Sequence, residues 1–172
     1  MAVASTRFSN DLRYRDEADP RQVHLTPPYI LEPVRELLGG IGLDPCTEPD
    51  NPTRAERFYA PPVDGAVEPW DADRIFVNPP YGKVRERWVY RCMEVGSEGA
   101  RVVLLIPAHP DTRIFQAALT FATSLLFVRG RVKFGVLRPN RRQAAASHPS
   151  ALIGWNVDLR EIGHLGTALV IR

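Results

Sequence analysis

The chain has only two cysteines, Cys46 and Cys92, and no Cys-x-x-Cys pair. That scarcity excludes a disulfide framework and the common dithiol redox or zinc sites, and both thiols are expected to be reduced. No apolar run approaches the roughly 20 residues needed to cross a bilayer. The first residues, with Arg7, Asp11, Arg13, Arg15, Asp16 and Glu17, lack the apolar stretch of a signal peptide. A cytoplasmic protein is therefore expected. The four histidines, His24, His109, His148 and His164, lack metal-ligand spacing, so no metal is expected. Internal repeats and low-complexity tracts are absent, and lysine is nearly so, since 20 of the 22 cations are arginine.

What is present is the balance of a globular domain: 172 residues, 44% hydrophobic and 24% charged. That length buries one core and leaves little room for another, so we expect a polar, loosely held arm over 1–22 and a single domain over 23–172. The net charge of +2 hides an asymmetry. Residues 83–142 hold 12 Lys or Arg against 4 Asp or Glu, a net of +8, whereas the rest hold 10 against 16, a net of −6. A basic half of this kind suits a polyanionic partner.

Hydrophobic spacing predicts the elements. Thr26 is expected to cap a helix that opens with Pro27 and Pro28, runs through Ile30, Leu31, Val34, Leu37 and Leu38, and stops at Gly39 and Gly40. A short buried strand over 41–44 ends at Asp44-Pro45-Cys46, and a loop-rich acidic stretch follows over 47–73. A second strand over 74–77 stops at Asn78-Pro79-Pro80-Tyr81, because consecutive prolines cannot donate to a ladder. A helix over 84–95 with Trp88 on its buried side, a strand over 101–106 and a helix capped by Asp111 follow. Strands near 125–128, 151–157 and 167–171 close the pattern, and Trp70 and Trp155 are expected in the core. Strands alternating with helices imply an α/β, Rossmann-like fold, its sheet mostly parallel with an antiparallel edge.

Open sheets of this kind bind ligands outside the carboxyl ends of their strands, which directs attention to Asp44-Pro45-Cys46 and Asn78-Pro79-Pro80-Tyr81. The lone pair of an aromatic amine is delocalised into its ring, so group transfer to it requires polarisation. Asn78 offers a carbonyl acceptor, Pro79 has only a carbonyl to offer, the Pro79-Pro80 pair fixes the turn, and Tyr81 supplies a stacking face. A rigid loop that merely ends a strand is the alternative. Arg129, Arg131, Lys133, Arg138, Arg141 and Arg142, within a basic segment near 129–147, and Lys83 beside the corner are the candidate phosphate contacts.

Taken in order, these residues resemble the phage-type DNA N6-adenine methyltransferases. The similarity runs through Thr26-Pro27-Pro28, Leu43-Asp44-Pro45-Cys46, and Phe76 to Lys83 with Trp88. It continues through Pro107, Asp111-Thr112, Phe115, Gly130-Arg131-Val132-Lys133-Phe134 and Pro149-Ser150-Ala151-Leu152. The resemblance implies S-adenosylmethionine as cofactor, DNA as partner and a flipped adenine held by Asn78, Pro79, Pro80 and Tyr81. It further implies a cofactor site at Thr26, Pro27, Asp44, Pro45, Cys46 and Asn78. Asp44-Pro45-Cys46 is followed by Thr47-Glu48-Pro49-Asp50, where many methyltransferases carry a Gly-x-Gly turn. The acidic partner of the cofactor ribose is then Glu48, Asp50, Glu56 or Asp64. The same acceptor geometry also suits cytosine N4 or a protein glutamine, and a relative without catalysis would be a DNA-binding module.

Overall fold

The structure, a computed structural model, describes residues 25–81, 85–135 and 145–172. The predicted arm over 1–22, with His24, Lys83, Arg138, Arg141 and Arg142, lies outside these residues.

The first helix, α1 (Pro28–Leu38), buries Ile30, Leu31, Val34, Leu37 and Leu38 along one stripe. Gly39 ends it in the left-handed conformation at φ 71°, and the Gly40 amide donates back to the Arg35 carbonyl at 2.8 Å. Thr26 is not its cap. The capping position falls to Pro27, which offers no side-chain acceptor, so Thr26 stands one residue outside the helix with its hydroxyl directed elsewhere.

The strands are β1 (Leu43–Asp44), β2 (Arg57–Phe58), β3 (Arg74–Val77), β4 (Arg101–Pro107), β5 (Ser124–Val128), β6 (Ser150–Trp155) and β7 (Gly166–Val170). They form one seven-stranded sheet in the order β2-β1-β3-β4-β6-β5-β7. Pairing is parallel from β2 to β4 and antiparallel from β4 to β7. The sheet is thus mostly parallel with an antiparallel edge, as expected: β2, β1, β3, β4 and β5 run one way, while β6, inserted between β4 and β5, and the closing β7 run the other. Strand β2, two exposed residues on the outer edge, sits inside the stretch expected to be loop.

Helices α2 (Arg85–Ser97) and α3 (Arg113–Phe121) cover one face of the sheet. They pack Trp88, Cys92, Phe115 and Ala118 on Ile75, Val77, Val102, Leu104, Ile106 and Trp155. Helix α1 and a 3₁₀ segment (Leu159–Leu165) cover the other, against Phe76, Val103, Leu105, Leu126 and Leu152. Alternate residues of β4 therefore feed opposite layers, as a strand buried on both faces requires. Trp70, Trp88 and Trp155 are all buried. Helix α3 is capped by Thr112 rather than Asp111: Thr112 has extended dihedrals, and its hydroxyl accepts from the Phe115 amide at 3.4 Å. Among the described residues, no helix is long and apolar enough to cross a membrane.

Candidate active site

Strands β1 and β3 run parallel in register, with Leu43 opposite Ile75, so the chain leaves both at the same edge of the sheet. Between their exits lies a small cleft, open to solvent. Asp44, Cys46, Thr47 and Glu48 line it from the β1 side, and Phe76, Asn78, Pro79 and Pro80 from the β3 side. Thr53 and Pro52 close it from the loop before β2, and Leu25 and Thr26 from the approach to α1.

Asp44 is 3% exposed, and such a carboxyl persists only when its oxygens are engaged. One oxygen accepts from the Cys46 amide at 3.1 Å and the other from the Thr53 hydroxyl at 2.8 Å. The loop that delivers Thr53 is tied down in turn. Arg35 donates to the Thr53 carbonyl at 2.7 Å, and Asn51 brackets Ala55 through both ends of its amide. The β1 side of the cleft is braced from behind as well. Gly65 lies so close to Pro45 that a Cβ there would come within 1.8 Å of the Pro45 carbonyl oxygen. The segment carrying Gly65 is fastened to α2 by the Asp64–Arg87 ion pair at 3.0 Å. Arg91 adds a bond to the Glu68 carbonyl, and its guanidinium lies 5.3 Å from the centre of the Trp70 ring.

On the β3 side, the Asn78 side-chain nitrogen donates to the Thr26 hydroxyl at 3.0 Å. Asn78 is half-buried, and Pro79 and Pro80 are buried with faces on the cleft. Tyr81 follows directly but is not among the cleft residues. Its ring meets Phe134 edge-on, with centroids 6.0 Å apart and planes at 79°. Burial pushes the Tyr81 phenol above its ordinary pKa, partly opposed by the nearby Arg85 guanidinium, so it stays protonated at neutral pH. Burial likewise lowers the Arg85 pKa.

Of the residues expected at a cofactor site, the cleft brings together Thr26, Asp44, Cys46 and Asn78, but not Pro27 or Pro45, both of which are buried. Among the four acidic candidates, Glu48 lines the cleft. Glu56 pairs with Arg74 at 2.7 Å, Asp64 pairs with Arg87, and Asp50 is an exposed loop residue. Leu25, Thr47, Pro52, Thr53 and Phe76 are lining residues that sequence reasoning did not single out. Thr53 carried no local signal, because it lies in a loop and its partner Asp44 lies nine residues back in β1.

Arg129, Arg131 and Lys133 are exposed, while Val132 between the last two and Phe134 just after them are buried. Arg131 also donates to the Ser147 carbonyl at 2.9 Å. Of the histidines expected on surfaces or loops, His148 and His164 are exposed and His109 is half-buried, its ring 4.7 Å from that of His148.

Comparison with known proteins gives a result consistent with this architecture. No curated protein matches the chain. The family model described as DNA N-6-adenine-methyltransferase (Dam) matches residues 16–164, a span that contains β1 to β6, the cleft and the exposed cations. A sheet whose strand ends converge on an acidic cleft and an Asn-Pro-Pro-Tyr corner, matched over nearly its whole length, identifies the chain as a member of the Dam family of DNA N6-adenine methyltransferases.

Proposed function

We propose that this chain methylates the N6 amine of an adenine turned out of DNA into the Asn78-Pro79-Pro80-Tyr81 corner, using S-adenosylmethionine held in the Asp44 cleft. The observation that carries the reading is adjacency: the acceptor corner and the acidic cleft share walls on neighbouring parallel strands. The cleft opens to solvent outside the carboxyl ends of these strands, where open sheets of this kind bind ligands. Its lining suits this cofactor chemically, since Asp44, Glu48, Thr47 and Thr53 are acceptors and S-adenosylmethionine carries a sulfonium, an ammonium and two ribose hydroxyls. When bound, the cofactor supplies a methyl group already activated by the positive sulfur.

The protein's work is then positional. The Asn78 carbonyl oxygen and the Pro79 carbonyl accept the two amine hydrogens, which draws the nitrogen out of conjugation and turns its lone pair toward the cleft. Taking up the methyl group would place positive charge on the nitrogen. The two oxygens stabilise that charge before one proton leaves to solvent. Tyr81, steadied by Phe134, offers its ring to the base plane. Arg129, Arg131 and Lys133 contact phosphates, and Lys83, Arg138, Arg141 and Arg142 extend the same basic segments in sequence.

The test is nucleoside analysis of DNA from a methylation-deficient host expressing the chain. N6-methyladenine is expected, and Asn78→Ala should lower its formation by about 10²–10³-fold while thermal melting and cofactor binding stay close to wild type. N4-methylcytosine in place of N6-methyladenine, or full activity in Asn78→Ala, would overturn the reading.

A further inference from the structure

The exposed cations and the acceptor corner are joined by a short piece of backbone ladder. Gly135 and Leu25 exchange both hydrogen bonds, at 3.2 Å and 2.9 Å, and Lys133 bridges Ala145 on the other side. The residues beside that reciprocal pair reach the corner from two directions. Thr26, following Leu25, accepts from the Asn78 side-chain nitrogen, and Phe134, preceding Gly135, packs on the Tyr81 ring. The spacing at the joint is close, since a Cβ on Gly135 would lie 3.1 Å from the Leu25 Cβ.

We infer that Thr26 and Phe134 are positioning residues, aligned together by the Leu25–Gly135 pair. Thr26 sets the rotation of the Asn78 amide, and Phe134 sets the plane of the Tyr81 ring. An asparagine amide can turn over with little change in shape. In the structure the Asn78 nitrogen donates to the Thr26 hydroxyl, which leaves the carbonyl oxygen as the end of the amide turned away from Thr26. The segment after β5 that offers Arg129, Arg131 and Lys133 to phosphates also carries Phe134, the residue packed on the Tyr81 ring. Backbone register and base geometry therefore have one origin. This assignment rests on the function proposed above and gives Thr26 a task other than cofactor contact.

The full-length chain and its variants Thr26→Val, Thr26→Ser and Phe134→Leu would be compared on unmethylated genomic DNA. The measurements are kcat, KM for DNA, cofactor affinity by calorimetry and thermal melting. A misplacement near 1 Å costs about 10²-fold in rate. Thr26→Val is expected to lose about 10–100-fold in kcat, with cofactor affinity and KM for DNA held within about twofold, and Thr26→Ser should recover most of the rate. Phe134→Leu should likewise lower kcat without changing the salt dependence of DNA binding. Wild-type kcat in Thr26→Val, or a loss appearing in cofactor affinity instead, would overturn the inference. Failure of the underlying function would show separately, as no N6-methyladenine from the wild-type chain.

Discussion

The two halves of the sheet are built for different demands. In the parallel half, β1 and β3 leave on one edge, and short, proline-stiffened exits hold polar groups in fixed positions: both Asp44 oxygens are engaged and the Asn78 amide is tethered. In the antiparallel half, the described residues that follow β5 carry Arg129, Arg131 and Lys133 on the surface, with solvent around them. Polarising an amine needs preorganised acceptors, because reorganisation during reaction would raise the barrier. Phosphate contacts act over longer distances and tolerate movement. The difference teaches that alignment in this molecule is concentrated on one side of the fold, and reaches the other through the Gly135–Leu25 pair.

That contrast can be broken most visibly on its basic side. Replacing Arg129, Arg131 and Lys133 together by Ala should weaken DNA binding severalfold or more. It should also flatten the dependence of log affinity on log salt by about 2–3, with cofactor binding unchanged, as titrations across salt concentrations would report. An unchanged slope would remove these residues from the DNA contact. On the parallel side, Asp44→Ala leaves the Cys46 amide and the Thr53 hydroxyl without their acceptor. Chemical denaturation should show a loss of about 1–3 kcal/mol, accompanied by weaker cofactor binding.

Chemical labelling sharpens the same division without mutation. Cys46 lines the cleft, whereas Cys92 is fully buried and its thiol is pushed far above the ordinary range by desolvation. A maleimide should modify one site in the native protein, and cofactor should slow that reaction; both sites should react only after unfolding. The smallest effect belongs to the antiparallel side. Arg160 holds the exposed Asp158 carboxyl below its usual pKa, chiefly through a side-chain hydrogen bond. A lowered carboxyl stabilises the fold at pH above its unfolded value of about 3.9, and that contribution disappears as the pH falls through the lowered native value. Because the pair is solvent-exposed, Arg160→Ala should change melting at neutral pH only marginally and slightly reduce the loss on acidification.

Much of this organisation was legible in the sequence because it rests on local chemistry. The prolines at 79 and 80 terminate β3 at the predicted residue, the run over 102–106 is apolar throughout as a doubly covered strand must be, and Trp88 is spaced in sequence with Val84 and Cys92. What was missed depends on distant partners. The hydroxyl of Thr26 reads locally as a cap, but its partner Asn78 lies 52 residues away. Two adjacent residues, Asp111 and Thr112, can each cap α3, and backbone conformation selects the second. Strand β2 is two exposed residues and carries no alternation to detect. Residues buried on both faces look alike in parallel and antiparallel strands, so the insertion of β6 had no sequence signature. Arg129, Arg131 and Lys133 were legible as part of a basic segment, but the contact of Phe134 with Tyr81 was not.

The packing of Gly65 against Pro45 has a mechanical consequence. Because the strip bearing Gly65 is pinned to α2 through Asp64, Glu68 and Trp70, the rear wall of the cleft moves only if the helix moves with it. A pocket with such a backing cannot relax around whatever enters. On the function proposed above, discrimination between the methyl donor and its demethylated product would fall to the side chains that line the mouth of the cleft.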